Sequence, residues 1–218
     1  MDKPFIDKSD LLKAPPSEGW GRSFDYHTHR LDTPPGSGIV CLPQEALLHP
    51  ERWTDAEGHL PHAAEGALYA AGIHPWWVAQ PDFDLERHLD GLHTLLTLPE
   101  VVCVGECGYD SLQGDGTDRH PAPLDVQDEV FAVHANLSET YDKPLVIHCV
   151  RAFDRLLRQH KLLRPHQRWT IHGFRGRPAL AQQLLDAGFD LSFGPRRNEE
   201  SYALTPPERR HDETDAEN

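Results

Sequence analysis

Three observations predict that this chain folds as a TIM-like (β/α) barrel. Short apolar runs alternate with stretches whose apolar residues recur at helical spacing, which predicts a mostly parallel sheet. Reactive side chains follow several of the predicted strands, and barrel active sites gather at the carboxyl ends of their strands. The first predicted strand ends in His27-Thr28-His29, whereas the doubly wound alternative usually has a glycine-rich phosphate loop there.

Length and composition limit the other possibilities. The 218 residues suffice for one substantial core, and we expect a charged N-terminal arm at residues 1–19 and a single barrel domain at residues 20–218. The net charge of -14 disfavours binding of long duplex DNA, since such binding neutralises phosphates with lysine and arginine. Without a signal-peptide pattern or a membrane-spanning apolar run, and with four scattered cysteines, we expect a cytoplasmic protein with reduced thiols. The oligomeric state is left open.

The predicted strands are short and apolar. They span residues 20–29, 39–42, 67–72, 101–105, 144–147, 169–171 and 189–193. We expect the fourth to terminate at Glu106 and to be followed by a polar loop over residues 107–123.

The predicted helices lie between these strands. Leucines at positions 85, 89, 92 and 96 predict one helix, which Pro99 ends, and the apolar spacing predicts further helices over residues 126–141 and 153–160. Pro178 suits the first turn of the next helix and Gly188 suits its C-terminal cap. Residues 43–66 predict at most a helical turn around residues 45–48. Residues 195–218 predict a polar tail, so we expect the last barrel unit to be incomplete.

Chemically reactive residues recur at the predicted strand ends. His27 and His29 point to the same face of a strand, and two imidazoles in that arrangement can hold one divalent ion. If the strands are parallel, the ends converge, and several imidazoles around a carboxylate outline a dinuclear metal site that activates water. Asp215 is the candidate to complete the coordination and to accept a proton. The strand-end residues are His27, His29, His74, Glu106, His148 and His172.

Seven stretches, in order, resemble the TatD-type metal-dependent deoxyribonucleases of the amidohydrolase-like barrel superfamily. They are DYHTH at 25–29, GIHP at 72–75, VGECGYD at 104–110, PLVIHC at 144–149, IHGFRG at 171–176, GFDLSFG at 188–194 and ETD at 213–215. Together they are specific and cover residues 24–215. The Pro-Trp that follows Gly-Ile-His is similar to a short bacterial branch of the family.

The resemblance implies roles for these residues. His27, His29 and Asp215 would bind one divalent ion, Glu106 would bridge, and His148 and His172 would bind the second. His74 would contact the substrate phosphate or support the site from the rim. The implied cofactors are two Mg, Mn or Zn ions, and the implied reaction is hydrolysis of a phosphodiester, from the end of single-stranded DNA or in another small substrate.

The end of the chain departs from the family pattern. In the family, Glu-Thr-Asp ends a buried apolar strand that a helix follows, whereas residues 208–212 read as too polar for a central strand. We therefore expect an atypical, truncated last unit. This keeps open a barrel that binds metal but has lost activity. Another amidohydrolase-type C–N or ester hydrolase is also open, although no lysine ends a predicted strand to bridge two metals.

Arginines also recur just after the predicted strand ends. Arg151 follows His148, and Arg175 and Arg177 follow His172, while Arg196 and Arg197 follow Gly194. We expect a local basic rim, with Arg151 and Arg175 binding substrate phosphates despite the net charge. Of the other polar residues on predicted helices, Gln127 could support the site ligands, although we favour a solvated helix position, and His88 and His134 read as surface or helix residues.

Overall fold

Eight parallel strands form one sheet that curves into a nearly closed barrel. The computed structural model describes residues 24–112 and 120–217, so the predicted arm at residues 1–19 lies outside the described residues, and the domain boundary stays a prediction. The strands are paired in sequence order from β1 to β8. Their bounds are β1 Asp25–Thr28, β2 Gly38–Cys41, β3 Leu68–Ala71, β4 Val101–Asp110, β5 Leu145–Val150, β6 Trp169–Ile171, β7 Asp190–Phe193 and β8 Arg210–Asp212.

Helices between the strands cover the outside of the barrel. In the described residues they are α1 Gln44–Leu48, α2 Pro75–Val78, α3 Leu85–Leu96, α4 Leu124–Tyr141, α5 Phe153–Leu163, α6 Pro178–Ala187 and α7 Glu199–Leu204. The predicted barrel is thus confirmed. The larger apolar core lies between strands and helices, and a smaller cluster, which includes Tyr26, Ile39 and Val146, contains alternate residues of β1 to β5.

The chain after β8 is hydrogen-bonded to β1. The backbone N–H of Asp215 donates to His27 O at 3.1 Å, and that of His29 donates to Ala216 O at 2.9 Å. Thr214 also donates from its N–H and its hydroxyl to the Asp25 carboxylate, at 2.9 and 2.6 Å. These bonds fix the segment that carries Asp215 against the end of β1.

The prediction that residues 208–212 are too polar for a central strand is wrong for residues 210–212. Arg210–Asp212 pairs in parallel with β7. Polar residues are tolerated here because they have partners: the Arg210 guanidinium donates to Tyr202 O and packs over the Tyr202 ring at 4.3 Å. Inside the barrel, the His211 ring stacks on Tyr26 at 4.0 Å. No helix follows β8 within the described residues up to 217.

Asp190 on β7 pairs with two arginines that precede neighbouring strands. Its carboxylate is buried and accepts from Arg168 Nε at 2.6 Å and from Arg209 Nε at 3.0 Å. Arg209 precedes β8, and Arg168 precedes β6, so one carboxylate ties three neighbouring strands. A search for apolar runs in the sequence cannot detect this arrangement, because the charged groups are paired only with residues distant in sequence.

The fourth strand is longer than predicted. It continues through Glu106 to Asp110, and all ten of its residues are buried. Gly108 suggested a loop, but it has φ 138°, and a Cβ there would lie 2.1 Å from His148 O on β5. Glycine therefore permits a close approach of the two strands here. The prediction of a loop beginning at residue 107 is wrong, and Glu106 points into the barrel from mid-strand.

Candidate metal centre

Four side chains from three parts of the chain form the first group of potential metal ligands. Glu106 Oε2 lies 3.5 Å from His27 Nε2 and 3.3 Å from His29 Nε2. Asp215 Oδ1 lies 3.7 and 3.8 Å from the same two nitrogens. Two ligands of one ion, each at about 2.0–2.2 Å, stand roughly 3 to 3.5 Å apart, so this spacing suits a shared divalent ion.

The other oxygen of the same carboxylate faces a second group. Glu106 Oε1 lies 2.7 Å from His148 Nδ1 and 2.7 Å from His172 Nε2. His74 Nε2 approaches the same oxygen at 3.2 Å. One carboxylate therefore presents its two oxygens to different imidazoles.

The donor set fits a metal. His27 Nε2 is fully buried and makes no hydrogen bond within the described part of the chain, and a buried polar atom without a partner is costly. Its other nitrogen, Nδ1, lies 3.2 Å from Cys41 Sγ on β2. If Nδ1 carries the proton and donates to the sulfur, the Nε2 lone pair is left facing Glu106 and Asp215, as metal binding requires.

The protonation states of Glu106 and His27 suit a cation. Burial alone would raise the pKa of Glu106, but the His172 and His74 imidazoles and hydrogen bonds from His148 and His172 hold this pKa well below its usual range. Burial lowers the pKa of His27 to about 3. The carboxylate is thus ionised and the His27 imidazole neutral near pH 7, the forms that bind metal.

Comparisons with known proteins identify the family of this chain. The model of the TatD related DNase family matches residues 46–216. The chain belongs to this family. It is 32% identical over 195 residues to the "Uncharacterized metal-dependent hydrolase YjjV" of Escherichia coli K12, covering 79% of this chain and 68% of that protein. The "3'-5' ssDNA/RNA exonuclease TatD" of Rahnella sp. is 29% identical over 130 residues, 56% of this chain.

The solved structure of YjjV, the TatD homologue of E. coli K12, has the same fold. It superposes with a TM-score of 0.64 at 24% identity, covering 88% of this chain and 78% of that chain. Against the Rahnella exonuclease, by contrast, the match spans 44% of that protein's length.

Residues behind the ligand groups fix the orientation of the His148 ring in this TatD-family site. Asp110 Oδ2 lies 3.2 Å from His148 Nε2 and accepts the Trp76 indole N–H at 2.7 Å. Gln127 holds Asp110 in turn: its Oε1 accepts from Asp110 N and its Nε2 donates to Asp110 O, both at 2.9 Å. The prediction that Gln127 is solvated is wrong, because it is buried beneath the end of β4.

Glu213 is a site residue that the sequence reasoning missed. Its Oε1 accepts from Gly173 N at 2.6 Å and lies 3.6 Å from His172 Nδ1. The carboxylate is buried, so it can orient His172 from the side away from Glu106. Its position two residues before Asp215 was a usable signal, since a strand would place both side chains on one face.

Two of the predicted rim arginines lie beside the centre. Arg151 and Arg175 are exposed and line a cavity of about 280 Å³ that also contacts His148, His172 and Asp215. Arg197 has a different environment. Its Nε lies 3.1 Å from Glu199 Oε1, and its guanidinium packs over the Tyr202 ring at 3.9 Å. Arg197 therefore stabilises the connection between β7 and β8 rather than the rim.

No helix in the described part of the chain is long and apolar enough to cross a bilayer.

Proposed function

We propose that this protein is a metal-dependent phosphodiesterase that removes nucleotides from the ends of single-stranded DNA. The observation that carries the proposal is Glu106, whose two oxygens face two separate groups of imidazoles. The name of the Rahnella relative, a single-strand DNA/RNA exonuclease, supports the substrate class. The four buried cysteines are compatible with a cytoplasmic location, which is part of the proposal.

The ligand roles follow the two groups. His27, His29, Asp215 and Glu106 Oε2 would hold one divalent ion, and Glu106 Oε1, His148 and His172 the other, with Mg, Mn or Zn as the candidate metals. Such a pair supplies Lewis-acid polarisation of the phosphate and lowers the pKa of water.

The remaining groups act on the substrate and the proton. Asp215 has a partly exposed carboxylate beside the first group, so it can accept a proton from an attacking water. His74 Nδ1 accepts the Trp76 backbone N–H at 3.1 Å, so the ring proton is on Nε2, 3.2 Å from Glu106 Oε1; His74 would therefore support Glu106 from the edge of the cavity. Arg151 and Arg175 can pair with phosphates of the remaining strand through charge-assisted hydrogen bonds.

The arginine roles can be tested separately. Arg151→Gln combined with Arg175→Gln should raise KM for a short oligonucleotide about tenfold, since each charge-assisted contact contributes about 1.5–3 kcal/mol before solvent screening. Arg158→Gln, an exposed arginine paired with Asp128, is the matched control for lost positive charge. An unchanged KM in the double variant would remove these arginines from the substrate site.

Two other functions have specific weaknesses. C–N or ester hydrolysis by relatives that bridge metals with a modified lysine is disfavoured, because Glu106 occupies the bridging position. A barrel that binds metal without turnover was suggested by the polar last unit. That reason is weakened by β8, which is present and carries Asp215 to the centre.

The test is hydrolysis of a short end-labelled single-stranded DNA with Mg or Mn, with and without chelator. We expect chelator-sensitive release of nucleotides that Asp215→Asn reduces by at least about a hundredfold, as loss of a proton acceptor typically costs. Asp186→Asn, an exposed carboxylate on α6, is the matched control. A metal-induced rise in Tm without hydrolysis of any DNA would instead support the inactive barrel.

A further inference from the structure

We propose that the indole of Trp76 stacks on the base of the nucleotide that is being removed. This inference rests on the proposed function and adds to it a specificity-determining residue. It predicts that the enzyme binds the terminal base by its aromatic face.

Trp76 is a large aromatic residue whose side chain is partly exposed to solvent. It is 38% exposed, and the other large apolar residues exposed among those described, Leu31, Val126 and Leu162, are aliphatic. It lines a cavity of about 440 Å³ that also contacts Glu106 and Asp215 of the metal centre. A large aromatic surface beside reactive groups suits a planar ligand.

The indole is held in one orientation. Its Nε1 donates to Asp110 Oδ2 at 2.7 Å, and its ring meets His74 and His148 edge-on, at centroid distances of 4.6 and 5.8 Å. A ring that is already fixed loses little conformational entropy when a base stacks on it. The same contacts put any stacked base next to the imidazoles that would face the scissile phosphate.

The charges of the two adjoining cavities differ. The Trp76 cavity is lined by two tryptophans, four histidines, apolar residues, Gln44 and the carboxylates of Glu106, Asp215 and Glu217, with no lysine or arginine among the described lining residues. The second cavity contains Arg151 and Arg175. Both cavities contact His148, His172 and Asp215, so the metal centre lies where they meet. The aromatic cavity suits the departing base, and the basic one suits the phosphates of the strand that remains.

The experiment compares DNA ends with and without a base. Short single strands carry either a normal nucleotide or an abasic one at the 3′ or the 5′ terminus, and kcat/KM for release of the first nucleotide is measured with Mn. The ratio of the two values is compared within each variant, so that any effect of Trp76 on the metal ligands through Asp110 cancels. The variants are Trp76→Ala, Trp76→Phe and Trp53→Phe, the last removing an indole from a separate cavity.

We expect the wild-type protein to prefer the base-containing end by about tenfold or more, within the range of single base–aromatic stacks. Trp76→Ala should bring the ratio to about one, Trp76→Phe should keep most of it, and Trp53→Phe should keep all of it. Chelator-sensitive cleavage with an unchanged ratio in Trp76→Ala, or no preference in the wild type, would overturn the stacking role alone. No cleavage of any end with any divalent ion would overturn the proposed function and this inference with it.

Discussion

Replacing His134 with glutamine should make the fold less sensitive to acid. His134 lies on α4 and is completely buried. Its Nε2 accepts the backbone N–H of Ile73 at 2.8 Å, and its Nδ1 lies 2.8 Å from Val130 O. The ring is therefore neutral, with its proton on Nδ1, because a proton on Nε2 would face another N–H. Glutamine can offer an oxygen to Ile73 and does not titrate.

The size of the effect follows from the pKa. Burial lowers the pKa of His134 to about 4, against about 6.5 in the unfolded chain. Between these values the unfolded state binds more protons, so the stability from this residue is complete above pH 6.5 and is lost as pH falls towards 4. The full difference is about 3 kcal/mol, and about 2 kcal/mol of it is lost by pH 5.

The assay is urea denaturation of wild type and His134→Gln at pH 7.5 and pH 5.0. Other groups, such as the metal-centre histidines, titrate in both proteins, so the difference between the two pH-dependent changes isolates His134. We expect the wild type to lose about 2 kcal/mol more than the variant between the two pH values. Equal losses, or a larger loss in the variant, would refute the neutral buried tautomer.

Two further substitutions test contacts that support the barrel and the centre. Asp190→Asn should lower the free energy of unfolding by about 2–3 kcal/mol, because it leaves two arginines without their shared carboxylate, and urea denaturation would detect it. A loss below about 0.5 kcal/mol would show that β8 does not depend on this pair. Cys41→Ala should weaken Mn or Zn binding about tenfold by calorimetry, since His27 loses the partner that fixes its tautomer, while Cys41→Ser should restore it. Equal metal affinities of the wild type and Cys41→Ala would show that the Cys41 thiol contributes only to packing.

Much of the fold could be predicted because its elements follow local rules. The leucine spacing of α3 and the proline and glycine at the two ends of α6 mark these elements where they occur. The sequence misled in two places. Glu106 and Gly108 read as the end of a strand, although close packing against β5 extends β4 through them. Residues 195–218 read as a polar tail, although they form α7 and β8, where Arg209 and Arg210 have hydrogen-bond partners elsewhere in the fold.

The candidate site could also be predicted only in part. Residues predicted at strand ends could be collected without a structure, since parallel strands bring their ends together. The structure brings His27, His29, Glu106, His148 and His172 together with Asp215. Residues that act on these ligands were not predicted: Gln127 was assigned to solvent, and Glu213 and Cys41 were given no role. Their contacts depend on how strands and helices pack, which spacing along one chain does not encode.

We propose that Glu106 joins two divalent ions, and counting bound metal tests this proposal most directly. Metal-free protein would be dialysed against Mn or Zn and the bound ions counted, for the wild type, Glu106→Gln and the control Asp186→Asn. We expect two ions per chain in the wild type and the control, and weakened binding of both ions in Glu106→Gln, because the substitution removes one carboxylate oxygen and the negative charge that attracts both ions. One ion per chain in the wild type, or two undiminished ions in Glu106→Gln, would contradict a bridged pair.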